Sequence, residues 1–171
     1  MVFAEPGQVH TLTRVSMDPA AVGPARLEPD PVPPALLAGL VASIDYLARL
    51  DPEATGTCRD KITASMDATY EYVHRLLFYL VNSLSHLSNV SVVGAEAHRV
   101  PVVSFVVGGV TAENVCTRLS DNGIAALAKV PSRALEAIGV DEIGGAVTVG
   151  LSPYSTPYEV DQLIRVLGSF G

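Results

Sequence analysis

The chain has 171 residues, of which 49% are hydrophobic, 6% aromatic and 17% charged, and its mean hydropathy is +0.35. That is enough for one sizeable aliphatic core, and so little charge implies that part of the surface packs against something else. A formal net charge of -7 with no Lys/Arg cluster is a poor match for a nucleic-acid partner held by phosphate neutralisation, and no stretch approaches the roughly 18 apolar residues of a membrane span.

Residues 1–34 hold seven of the twelve prolines, which break helices and block central strands. The segment reads as irregular, either a disordered tail or an extended stretch that lies on a surface supplied by something else. It has no basic n-region followed by an apolar run, so no secretory signal is expected. Pro34 suits a first helical turn, and Leu36, Leu37, Leu40, Val41, Ile44 and Leu47 follow at helical spacing to about Leu50, where Asp51-Pro52 stops the helix. Ile62, Met66, Tyr70, Val73, Leu77, Leu80, Leu84 and Leu87 then step by four or three, predicting a long helix from about Thr57 to Leu87.

Beyond Leu87 the period changes. "NVSVVG" and "VPVVSFVVGGV" read as strands joined by a loop over 94–99. Thr111 caps a helix that buries Val115, Cys116 and Leu119 and ends at Asn122-Gly123. "IAALAKV" is a third strand, Ser132 to Ile138 a short helix ending at Gly139, and "AVTVGL" a fourth strand. Thr156, Pro157 and Glu159 form the capped start of the final helix. The fold class is α+β: a small mixed sheet of about four strands with helices on one side, preceded by a long helix.

The residue types that carry chemistry are scattered. His10, His74, His86 and His98 have no ligand spacing, so no metal site is expected. Cys58 and Cys116 form no framework, and free thiols in a reducing cytosol are the simplest reading. Cys116 falls on an inward helix stripe as a small hydrophobe. Cys58 lies near a helix start, where a dipole lowers a thiol's pKa. Gly108-Gly109 and Gly144-Gly145 fit turns and not a phosphate loop. Lys129, before Pro131, has two readings: a buried amine of depressed pKa and nucleophilic character, or a strand-end lysine reaching solvent. Spacing alone assigns no catalytic, cofactor-binding or metal-binding residue.

The wording of three segments carries more. "LLAGLVASIDYLARL", "PVVSFVVGGVTAENVCTRLSDNGIAAL" and "GGAVTVGLSPYSTPYEVDQLIRVL", in that order, resemble the C-terminal part of the class V aminotransferase and cysteine desulfurase group, enzymes of fold type I dependent on pyridoxal phosphate. The resemblance implies that residues 35–171 are the small C-terminal domain of such an enzyme. Residues 1–34 would lie against the missing large domain. Family members are homodimers, so a second subunit is the other implied partner, and the cytoplasm the implied location.

The same resemblance marks departures. The family's Schiff-base lysine, its partner aspartate and its phosphate turn precede the region matched here, and neither Lys61 nor Lys129 has the matching context. The loop Ala128–Arg133 lacks the desulfurase cysteine. Thr148 stands where many members place an arginine for the substrate carboxylate, and Arg133 is the candidate substitute. The expectation is therefore a piece of a pyridoxal-phosphate transferase or lyase that binds no cofactor and is inactive alone. The alternative is a binding or dimerisation module that kept the fold and lost the chemistry.

Overall fold

Five helices and four short strands make up the computed structural model, which describes residues 20–23, 33–94 and 99–170. Most of the proline-rich start, His10, His98 and the middle of the 94–99 loop lie outside the described residues. The contact pattern divides the chain into two units, residues 1–62 and 63–171.

In the first unit, α1 spans Pro34–Leu47, with Pro34 in its first turn. It stops three residues before the expected end. None of its residues is buried, although Leu36, Leu37, Leu40, Val41, Ile44 and Leu47 are all apolar. Helix α2, Cys58–Ser85, begins in this unit on a reciprocal cap. The Thr57 backbone donates to the Asp60 carboxylate at 2.9 Å, and the Asp60 backbone donates to the Thr57 hydroxyl at 3.2 Å.

The second unit holds the rest of α2, then β1 (Val90–Val92), β2 (Val102–Val107), α3 (Ala112–Asp121), β3 (Leu127–Ala128), α4 (Arg133–Ala137), a 3-10 turn (Val140–Ile143), β4 (Val147–Gly150) and α5 (Pro157–Gly168). The sheet order is β1-β2-β4-β3. All three ladders are antiparallel, which replaces the mixed sheet expected from the sequence. Directly opposed residues share a face. Phe105 opposes Val147, and Val103 opposes Val149; with Val107 they build the core side. Leu80 and Leu84 of α2, Val115 and Leu119 of α3, and Leu163 and Leu167 of α5 cover that side.

The heptad-like seam of α2 is only half used. Val73, Leu77, Leu80 and Leu84 are buried, but Met66 and Tyr70 are exposed. The reason is length: 28 helical residues rise about 42 Å at about 1.5 Å each, whereas the longest strand has six residues. The Tyr72 hydroxyl donates to the Ser155 carbonyl at 2.6 Å, and the Tyr79 hydroxyl bonds Asp161, tying α2 to the start of α5.

The caps at Thr111 and Thr156 fall where the sequence placed them, and Ser132, expected as the first residue of its helix, is its cap. Thr111 opens α3, Ser132 opens α4, and Thr156 with Glu159 completes a capping box on α5. Helix α3 closes in a Schellman motif, with Ile124 N bonded to Leu119 O at 2.9 Å and Gly123 N to Ser120 O at 2.9 Å. Because that closure uses Ile124, and because Lys129 turns left-handed (φ 50), the expected strand "IAALAKV" shrinks to the two residues of β3.

Candidate functional site

The segment from β3 to β4 folds around a pocket of about 440 Å³, lined by Lys129, Ser132, Arg133, Glu136, Asp141 and Ala146 among others. Three local choices shape it. Pro131 and the Ser132 cap start α4, so Arg133 is its first residue and exposed. Gly139 and Gly144, both left-handed, bracket the 3-10 turn that carries Asp141. Lys129 crosses from β3 to reach α3.

Lys129 is fixed at three points. Its backbone N–H donates to the Ala146 carbonyl at 3.0 Å. Its Nζ lies 2.7 Å from Glu113 Oε1. Its aliphatic stem runs directly over Gly145, where an added Cβ would sit 2.6 Å from Lys129 Cγ. Gly145 also has φ +84, so both space and backbone require glycine there. The hydrogen bond that the Lys129 ammonium donates to Glu113 raises the lysine's pKa, and the same bond holds Glu113 below the ordinary carboxylate range. This overturns the depressed, nucleophilic reading of Lys129: its charge is stabilised and it reaches solvent.

Arg133 therefore supplies the pocket's cation without an ion-pair partner among the described residues, beside the carboxylates of Glu136 and Asp141. That mixture disfavours a plain anion. It suits a zwitterion carrying an ammonium and a carboxylate together.

The other candidates are placed elsewhere. Thr148 is 9% exposed and opposes Ser104 across the β2–β4 ladder, on the face turned away from the helical core. Cys116 is half-buried on α3, where burial, and then the nearby Glu113 charge, push its thiol up. Cys58 is the exposed first residue of α2. His74 stacks on Tyr70 with centroids 4.0 Å apart, and His86 Nδ1 lies 2.7 Å from the Asn82 carbonyl. Among the described residues no group of three or more His, Cys, Asp or Glu side chains is placed to hold a metal ion. Nor is any helix among them long and apolar enough to cross a membrane.

Among the described residues, neither lysine is placed as a Schiff-base amine for pyridoxal phosphate. Lys129 is committed to Glu113, and Lys61, on the first turns of α2, is not among the residues lining this pocket. Sequence reasoning singles out Lys129 and Arg133 and reads Gly145 as a turn residue, but it misses Glu113 and the lysine stem over Gly145. Glu113 lies sixteen residues from Lys129, and only the antiparallel return of the chain joins them.

No family model matches the chain. An uncharacterized protein of Mycobacterium tuberculosis is 48% identical over all 171 residues. The chain spans 43% of that relative's length. Among solved structures, the cysteine desulfurase CsdA of Escherichia coli is similar with a TM-score of 0.66 at 19% identity, over 87% of this chain and 33% of that one. A C-DES mutant with glycine covalently linked to its PLP cofactor gives 0.64 at 19% identity, over 88% and 33%. A NifS-like protein of Rickettsia africae gives 0.54 at 16% identity, over 66% and 32%. The fold is thus that of about one third of a cysteine desulfurase chain.

Proposed function

We propose that residues 35–171 are the C-terminal small domain of a class V aminotransferase or cysteine desulfurase-like enzyme of the cytoplasm, and that this chain alone is inactive. The observation that carries the reading is the coverage: 87% and 88% of the chain superimposes on only a third of two such structures. The bare apolar face of α1 supports it, since a helix so rich in exposed Leu, Val and Ile needs a protein surface over it. In this reading the cover is the large, cofactor-carrying domain, on the same chain or a second subunit. The cofactor would supply the electron sink for amino-acid chemistry. No step through it is assigned to this chain. Arg133 would hold the substrate carboxylate, with Glu136 and Asp141 on the side of its ammonium.

The test pairs this chain with the separately expressed remainder of the mycobacterial relative. Neither piece alone should turn over an amino acid with pyridoxal phosphate, and the mixture should. Arg133→Ala should then raise the KM for the amino acid. A borohydride-trapped pyridoxal adduct at Lys61 or Lys129 of the isolated chain would overturn the reading.

A second reading rests on Thr148 and on the cysteine-free loop 128–133: a non-catalytic binding or dimerisation module. It requires a monodisperse assembly in which the α1 amides are protected from hydrogen exchange. Aggregation with unprotected α1 amides excludes it.

A further inference from the structure

A second concavity, of about 520 Å³, runs along α2 from Tyr70 to Ser85. Its wall is aromatic: Tyr70 and His74 stack on each other, and Phe78, one turn on, is 76% exposed. Among the described residues, Arg99 is the lining residue contributed from outside the helix. In a chain with 6% aromatic residues, this is a concentrated apolar and π surface beside one cation.

Arg99 is held in place by backbone and has donors to spare. Its Nη1 donates to the Val93 carbonyl at 3.2 Å and its Nη2 to the Gly94 carbonyl at 2.9 Å. These bonds fix the guanidinium at the end of β1. They use two of its five N–H groups. Nε is shielded from water and has no acceptor, and no carboxylate pairs with Arg99 among the described residues. One N–H on Nη1 and one on Nη2 are left for an acceptor, and a carboxylate takes both at once in the two-point geometry available to arginine. An aromatic body on the same ligand would lie against Phe78 and the Tyr70–His74 pair, where ring contacts add to simple burial.

The geometry points to this groove as a binding site for a small aromatic carboxylate. Among the described residues it shares no lining residue with the Arg133 pocket, so it stands or falls separately from the proposed enzyme reading. The volume lies within the range of about 300–1,000 Å³ usual for small-molecule sites.

The test titrates the full chain with benzoate, benzamide and acetate, read by NMR shifts of the Tyr70, His74 and Phe78 rings. Benzoate should bind saturably. Benzamide lacks the charge and acetate lacks the ring, so each should bind at least about tenfold more weakly. Arg99→Lys keeps the charge but loses the fork and should weaken benzoate about tenfold. Phe78→Ala removes an exposed ring, so its melting temperature should hold while benzoate affinity drops about fivefold. If Arg99→Lys loosens the hairpin, the Phe78→Ala result decides alone. Non-saturable shifts, equal binding of benzamide, or unchanged affinity in Phe78→Ala overturns the proposal.

Discussion

Ser104 Oγ and Thr148 Oγ1 lie 2.8 Å apart across the β2–β4 ladder, on the sheet face opposite the helical core. The pair satisfies two hydroxyls that the sheet leaves half-buried or buried. Thr148→Val keeps the shape but leaves the Ser104 hydroxyl without this partner, at a cost of about 1 kcal/mol. Adding Ser104→Ala should recover part of that loss. Urea unfolding of the two single variants and the double variant gives the coupling, and strict additivity would refute the pairing.

Gly145 and Lys129 make a tighter prediction. Gly145→Ala meets both a left-handed backbone (φ +84) and the lysine stem, so it should destabilise by about 1–3 kcal/mol. In a Lys129→Ala background the steric part disappears and the backbone part remains. The penalty should therefore shrink without vanishing, as thermal melts of the four proteins will show.

The Lys129–Glu113 pair sets a pH dependence at both ends. Glu113 titrates lower when folded, so its contribution is complete above the ordinary carboxylate range and is lost as pH falls through the depressed value. Lys129 titrates higher when folded, so its contribution is complete below the ordinary lysine range and is lost as pH rises through the raised value. The stability gap between the native chain and Lys129→Met should be flat near neutrality and narrow at acidic and strongly alkaline pH. Both groups reach solvent, so added salt should reduce the gap. A pH-independent gap would remove the pair from the account.

The two thiols should label in sequence. Cys58 is exposed, whereas burial and Glu113 raise the Cys116 thiol above its ordinary range. At neutral pH iodoacetamide should modify Cys58 first, with Cys116 at least about tenfold slower because less of it is thiolate. Peptide mass spectrometry over time reads both sites. Equal rates would show that Cys116 is open.

Thr156 accepts from the Glu159 N–H at 3.3 Å, and Glu159 accepts from the Thr156 N–H at 2.7 Å. Thr156→Ala should cost about 1 kcal/mol. An unchanged urea midpoint would mean that Pro157 and the buried stripe of α5 start the helix without it.

The features legible in the sequence are local ones. Thr111, Ser132, Gly139 and Thr156 act within a few residues of themselves, so the order of residues is enough to place their caps and turns. The core stripes of α3 and α5 are legible for the same reason, since period alone fixes their faces. The failures share a different cause. The seam through Met66 and Tyr70 is periodic, but burial depends on whether the sheet reaches that far. "IAALAKV" is apolar enough for a strand, but Ile124 is spent on closing α3 and Lys129 turns away. Lys129 passes for a buried amine because Glu113, its partner, arrives from another helix. The groove at Arg99 carries no sequence signal, because its aromatic wall and its cation belong to different elements.

The strands at the two ends of the sheet are three residues (β1) and two residues (β3) long, and Lys129 directly follows β3. So short a margin offers almost no free backbone for another chain to extend, and a charged side chain guards one end of it. The exposed apolar stripe of α1 is a more open route to self-association than that margin. Clumps formed that way should stay helical, disperse in mild detergent and give no amyloid-dye signal.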